Sequence, residues 1–162
     1  MRRVFLPVLV LALMGLSVQT ALASTSGAHF MSASASINGS GALVVSWDEA
    51  GLGNENIDYT LTADATATYA CINNGGNHPK ASNKETFQDQ VSTGGSFQSK
   101  NGRVQASLVA GPLSSGGFSC PSGQTLVLAR VTYSNIVLTD TTNNVSADLA
   151  DVCRSFSTLF PC

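Results

Sequence analysis

Residues 57–71 read IDYTLTADATATYAC, and this stretch decides the fold class. Apolar residues occupy its odd positions, while threonine and aspartate fill the even positions from 58 to 68. A period of two residues belongs to a β-strand with one buried face, because a helix repeats every 3.6 residues. Fifteen residues would extend about 50 Å, so we expect a bend near Ala63–Ala67 or two consecutive strands. Cys71 shares the apolar parity, which predicts a sulfur that points inward and joins two sheets.

Two hairpins are predicted on either side of this stretch. Alternating residues 31–37 and 43–47 surround Asn38-Gly39, a dipeptide preferred in two-residue hairpin turns. Trp47 lies on the apolar face of its strand and is the expected large core residue. Asn101-Gly102 predicts a second hairpin turn, which leads into a strand over residues 104–108.

The other strands have weaker signals. Thr93-Gly94-Gly95 is expected to break the strand that precedes it. A parity switch near Ser134-Asn135 indicates a β-bulge, and residues 111–123 predict a long loop that carries Cys120. Further strands are predicted at residues 86–91, from Phe97, at 126–139 and at 145–156, where a short helical turn is the alternative.

Short strands, with turn signals about every ten residues, predict an all-β fold. We expect an antiparallel immunoglobulin-like β-sandwich with two disulfides, and a small β-barrel is the alternative. Trp47 precedes both Cys71 and Cys120, so the Cys…Trp…Cys order of antibody domains is absent. Any kinship to those domains would therefore be architectural.

The first residues predict export. A basic start (Met1-Arg2-Arg3), an apolar run from Val4 to Leu16 and small residues up to Ala23 follow the order of a secretory signal peptide. The apolar run is too short for a transmembrane helix, which needs about 20 residues. We expect a signal peptide over residues 1–23 and one secreted, monomeric domain over 24–162, without a membrane anchor.

Charge is sparse in this chain, since only 11% of its residues are Asp, Glu, Lys or Arg. Removing Arg2 and Arg3 from the eight basic residues leaves six against ten acidic ones, a net charge of −4. An acidic chain is a poor partner for nucleic acid.

Four cysteines, all beyond residue 70, indicate two disulfides in an exported domain. Cys153 and Cys162 are close in sequence and are expected to bond each other, which leaves Cys71 to bond Cys120. Cysteine ligation of zinc is not expected, because there is no C-x-x-C pair and no histidine beside a cysteine.

Catalytic motifs are missing. No G-x-S-x-G elbow is present, and His29 and His78 are the only histidines. The carboxylates of Asp48-Glu49 and of Glu55 and Asp58 are expected to be solvated in a loop over residues 48–56, and not to form a glycosidase pair. We therefore expect a binding or interaction domain without catalytic activity, cofactor or metal.

Residues 74–80, NGGNHPK, are the expected ligand-contacting loop, because flexible glycines accompany amides, an imidazole and an ammonium group. A Cys71–Cys120 bond would bring Phe118 to the same end. The ligand is an unknown extracellular partner, a glycan or a protein. The expected contact residues are Asn74, Asn77, His78, Lys80 and Phe118.

A copper protein is the alternative. Cleavage after Ala28 would make His29 the first residue, and its amine and imidazole, joined by His78, would resemble the histidine brace of lytic polysaccharide monooxygenases. The motifs of that family after the N-terminal histidine are absent. Ala23 also lies closer to the end of the apolar run, which favours cleavage there.

Overall fold

The computed structural model describes residues 27–73 and 83–162, which form eight strands in two antiparallel sheets and contain no helix. Sheet A has the order β1-β2-β5. Sheet B has the order β4-β3-β6, with β7 and β8 both paired to the outer edge of β6. The strands are β1 (His29–Ile37), β2 (Leu43–Ala50), β3 (Asn56–Asn73), β4 (Lys84–Gln98), β5 (Arg103–Ala110), β6 (Gln124–Asp140), β7 (Val145–Leu149) and β8 (Val152–Ser155).

The all-β prediction is confirmed, and the arrangement is sandwich-like, because one apolar core lies between the two sheets. Trp47 is buried, as predicted, and its ring centroid lies 4.7 Å from that of Tyr59 on the opposite sheet. Over the described ranges, no helix is long and apolar enough to cross a membrane. The signal peptide predicted over residues 1–23 lies outside the described residues.

β3 is one strand of 18 residues and not two. Its pairing with β6 shifts register between Thr62 and Asp64 and again between Thr68 and Tyr69, and these two irregularities flank the position of the expected bend. The first shift lies beside Asn135, whose φ of 49° confirms the bulge predicted there. Odd positions from 57 to 67 are buried, as the alternation requires.

β4 continues through Thr93-Gly94-Gly95, so the predicted break there is wrong. These glycines make room for close neighbours. A Cβ on Gly95 would lie 2.9 Å from the Phe97 ring, and one on Gly94 would lie 3.0 Å from the Tyr59 carbonyl oxygen. Composition predicted a turn in this segment, whereas close packing within sheet B explains the two glycines.

The connection between β1 and β2 spans five residues, 38–42, so the predicted two-residue turn is wrong. Asn38 closes it, because its Oδ1 accepts hydrogen bonds from the backbone N–H groups of Ser40 and Ala42, each at 3.0 Å. The Asn101-Gly102 turn between β4 and β5 is confirmed.

Sheet B extends beyond sheet A, because β3, β4 and β6 are nearly twice as long as β1, β2 and β5. The segment over residues 111–123 covers part of the excess, where the Tyr69 hydroxyl donates to the Leu113 carbonyl oxygen at 2.6 Å. Both predicted disulfides are confirmed. The Cys71 bond was expected to join the two sheets. Cys120 lies in the 111–123 segment, however, so the bond joins β3 to a loop.

Candidate functional site

The residues that flank the predicted ligand loop lie at the end of the domain where β3 finishes, called here the loop end. Asn73 and Asn83 flank residues 74–82, and the backbone N–H of Cys71 donates to the Asn83 carbonyl oxygen at 2.9 Å. The side-chain amide of Asn83 also donates to Gln124 Oε1 at 3.0 Å. The predicted contact residues Asn74, Asn77, His78 and Lys80 lie outside the described residues, so their role stays a prediction.

Phe118 lies in the described part of the loop end. The Cys71–Cys120 bond brings its segment beside the end of β3, and its backbone N–H donates to the Ser115 carbonyl oxygen at 2.9 Å. The ring was expected to be exposed, but the residue is half-buried. Phe118 therefore offers less contact surface than the sequence predicted.

Two open concavities meet on β4 next to the loop end. The larger, of about 440 Å³, lies on the outer face of sheet B, and the smaller, of about 200 Å³, lies between β4 and the segment 111–123. Gln88 and Asp89 line both, so we call the pair the β4 groove. Its other lining residues are Asp64, Ala65, Thr66, Gln90 and Ser134 in the larger part, and Phe87, Leu113, Ser114 and Gly116 in the smaller part.

Strand register positions the side chains of the β4 groove. Asp64 is opposite Gln90, and Thr66 is opposite Gln88, so amides and oxygens from two strands stand side by side. Asn135, at the bulge in β6, donates from Nδ2 to Asp64 Oδ2 at 2.7 Å and holds that carboxylate in place. Phe87 is held by an edge-to-face contact with Tyr69, at a centroid distance of 6.0 Å.

The groove combines hydrogen-bond donors and acceptors without positive charge. Amides both donate and accept, carboxylates accept, and hydroxyls do either. No Lys, Arg or His lines it among the residues that the structure describes. Such a surface can pair with neutral hydroxyl groups, while Asp64 and Asp89 would repel an anion.

A second polar cluster is buried between the sheets at the opposite end. Glu49 and Asp140 are fully buried, so the expectation of a solvated Glu49 in a loop is wrong. β2 runs to Ala50 and turns this side chain toward the core, where the Tyr59 hydroxyl donates to Glu49 Oε2 at 2.7 Å. Burial chiefly, with a contribution from Asp140, raises the pKa of Glu49 to about 7.

His29, the proposed first copper ligand, is exposed and lies at the end of the domain opposite the loop end. It pairs with Ala50, and Ala50 pairs with Arg103, whereas residues 74–82 start from Asn73 at the far end of β3. No group of three His, Cys, Asp or Glu side chains in the described ranges could hold a metal ion. The copper alternative stays a prediction without support from these positions.

Comparison with known proteins finds no relative of this chain. No protein-family model, no curated protein and no solved structure matches it. The function must therefore be inferred from the chemistry of the chain's own residues.

Proposed function

We propose that this chain is a secreted, non-enzymatic binding domain, and that the β4 groove is its surface for a neutral glycan. The observation that carries the proposal is a pair of adjacent concavities that share Gln88 and Asp89 and are lined by amides, carboxylates and hydroxyls. Sugar hydroxyls both donate and accept hydrogen bonds, so they match such a lining.

The rigidity of the groove supports this proposal. Except for Ser114, its polar side chains stand on three paired strands of sheet B, so little conformational entropy is lost when a ligand binds. The half-buried Phe87 ring adds an apolar surface to the smaller concavity. The loop over residues 74–82 begins and ends at the same end of the domain and would extend the contact.

Export is supported by chemistry as well as by the first 23 residues. All four cysteines are bonded, and disulfides persist mainly in oxidising compartments outside the cytosol. The immunoglobulin-like topology remains part of the proposal. Division of the strands between two sheets favours a sandwich over a small barrel.

Binding of the mature protein to an array of neutral oligosaccharides, including cellohexaose, maltohexaose and xylohexaose, tests the function. Gln88→Ala should weaken binding about tenfold, because it removes hydrogen bonds worth about 1 kcal/mol each from the groove. Ser96→Ala is the control, since Ser96 is an exposed polar residue on the same strand that lines neither part of the groove. Its affinity should stay within twofold of the unsubstituted protein.

Two outcomes would contradict the proposal. If no neutral oligosaccharide binds at millimolar concentration, neutral glycans are ruled out as the ligand. Equal weakening in Gln88→Ala and Ser96→Ala would show that the groove is not the binding site. His78→Ala and Phe118→Ala then measure how much the loop end contributes, and unchanged affinity in both excludes it from the contact.

A further inference from the structure

The turn between β4 and β5 carries another concavity, of about 530 Å³, which we call the turn site. It lies at the opposite end of β4 from the loop end, because Gln98 pairs with Asn56 at the start of β3. It shares no lining residue with the β4 groove. Its lining residues are Phe97, Gln98, Lys100, Arg103, Val104 and Gln105.

The turn itself is firmly held. Lys100 and Arg103 exchange two backbone hydrogen bonds, of 2.9 and 3.2 Å, across Asn101 and Gly102, which both have positive φ. The backbone N–H of Leu52 also donates to the Gly102 carbonyl oxygen at 3.0 Å. A two-residue turn fixed from both sides gives its flanking side chains a defined position.

Two cations stand opposite each other on this turn. Side chains of directly paired residues have Cβ atoms about 5 Å apart, and like charges in such positions destabilise a hairpin. Lys100 and Arg103 are two of only six basic residues beyond residue 3. Their pairing therefore calls for an explanation other than stability.

Only one of the two charges is neutralised. Arg103 Nε donates to Asp48 Oδ1 at 2.6 Å, and Gln105 Nε2 donates to Asp48 Oδ2 at 2.8 Å. Arg103 is the chief cause that lowers the pKa of Asp48 to about 2, so this carboxylate stays ionised. Within the described part of the chain, Lys100 forms no ion pair. The turn site thus keeps one exposed, uncompensated positive charge.

We propose that the turn site binds an acidic sugar through one carboxylate or sulfate group. The Lys100 ammonium and the outward N–H groups of the half-exposed Arg103 receive the anion. The Phe97 ring takes the apolar face of the sugar, and the Gln98 amide pairs with its hydroxyls. One net charge suits a singly charged group, whereas a polyanion such as nucleic acid would be repelled by the acidic chain.

This site is independent of the proposed function, because it needs neither the β4 groove nor a neutral ligand. The test is calorimetric titration of the mature protein at low salt with methyl galacturonide, glucose 6-sulfate and uncharged methyl glucoside. We expect the turn site to bind one of the two acidic sugars and not methyl glucoside. The preferred sugar distinguishes a carboxylate from a sulfate ester.

Lys100→Gln should weaken that binding about tenfold. Lys84→Gln is the matched control, since it removes the same charge at the other end of β4, and its affinity should change less than twofold. Lys100→Arg keeps the charge and should bind within threefold of the unsubstituted protein. The melting temperature of Lys100→Gln should not fall, because the substitution relieves repulsion with Arg103.

The proposal is overturned if neither acidic sugar binds. It is overturned equally if Lys84→Gln weakens binding as much as Lys100→Gln, because the effect would then be one of total charge. Loss of binding in Lys100→Arg as well would show that the positive charge is not what the ligand recognises. None of these outcomes depends on whether the β4 groove binds neutral glycans.

Discussion

Glu49 brings an ionisable group to the place where the two sheets meet. Asp140 lies beside it and accepts hydrogen bonds from the backbone N–H groups of Thr142 and Asn143 and from the Asn143 amide, at 2.7 to 2.9 Å. These three donors hold the Asp140 side chain in place beside Glu49. Among the described residues, no donor forms a hydrogen bond with the buried Glu49 Oε1. A proton on this atom would remove the negative charge of Glu49.

The stability of the domain should therefore depend on pH. The pKa of Glu49 is about 7 when folded, against 4.5 for an ordinary glutamate, so the folded chain holds this proton more tightly. The contribution is fully present below pH 4.5 and is lost as the pH rises to 7, by up to about 3 kcal/mol. Urea unfolding at pH 5, 6 and 8 measures it.

Glu49→Gln should remove most of this pH dependence, because an amide stays neutral and still reaches Tyr59 and Asp140. Glu55→Gln is the control, since Glu55 is exposed, and it should keep the slope of the unsubstituted protein. Equal stability of the unsubstituted protein at pH 5 and pH 8 would show that Glu49 is not protonated when folded.

Asn38 determines how β1 and β2 are joined. Its side-chain oxygen accepts three hydrogen bonds, from two backbone N–H groups and from the Ser40 hydroxyl. Asn38→Ala should lower the free energy of unfolding by about 1–2 kcal/mol, because it leaves loop donors without a partner. Asn38→Asp keeps the acceptor and should cost less. Chemical unfolding of both variants decides this, and equal losses would contradict the role of Oδ1.

The two-residue periodicity predicted the strands in which one face is buried and the other is exposed. The structure confirms the alternation over residues 57–71 and the parity switch at Asn135, because each depends only on which face of the strand is buried. Gly94-Gly95 was misinterpreted because the Tyr59 carbonyl oxygen that crowds Gly94 belongs to β3, which is distant in sequence and lies beside β4 only in the fold. Glu49 was misinterpreted for the same reason, because its partners Tyr59 and Asp140 lie on the other sheet.

The candidate sites were less accessible to sequence reasoning than the strands. Gln88 has no motif around it and becomes part of a groove only because Thr66 is its register partner. Lys100 and Arg103 flank the predicted Asn101-Gly102 turn, so the prediction of that turn already places the two residues opposite each other. A search for like charges on both sides of a predicted hairpin turn would have found the turn site.

Across the whole domain, the two disulfides should contribute unequally. Cys71 and Cys120 are separated by 49 residues, and Cys153 and Cys162 by 9. On the chain-entropy model these bonds stabilise by about 4 and about 2.5 kcal/mol. Replacing each pair by alanine and comparing urea midpoints measures the order. A larger loss from the C-terminal pair would contradict that model for this chain.

The N-terminus decides whether a copper site is available at all. Intact mass of the exported protein should show a chain that starts at Ser24, in which His29 has no free amine. A start at His29 would instead restore the copper alternative, and copper titration of the unsubstituted protein and His78→Ala would follow. Tight binding that is lost in His78→Ala would then identify a histidine brace.

We propose that the β4 groove binds a neutral glycan and leaves it chemically unchanged. This can be tested by titrating ¹⁵N-labelled protein with the neutral oligosaccharide that binds best on the array and following the amide chemical shifts. We expect saturable shifts at residues 64–66 and 88–90, none at residues 98–105, and an oligosaccharide recovered unchanged. Shifts confined to the outer face of sheet A, or a cleaved or oxidised oligosaccharide, would contradict it.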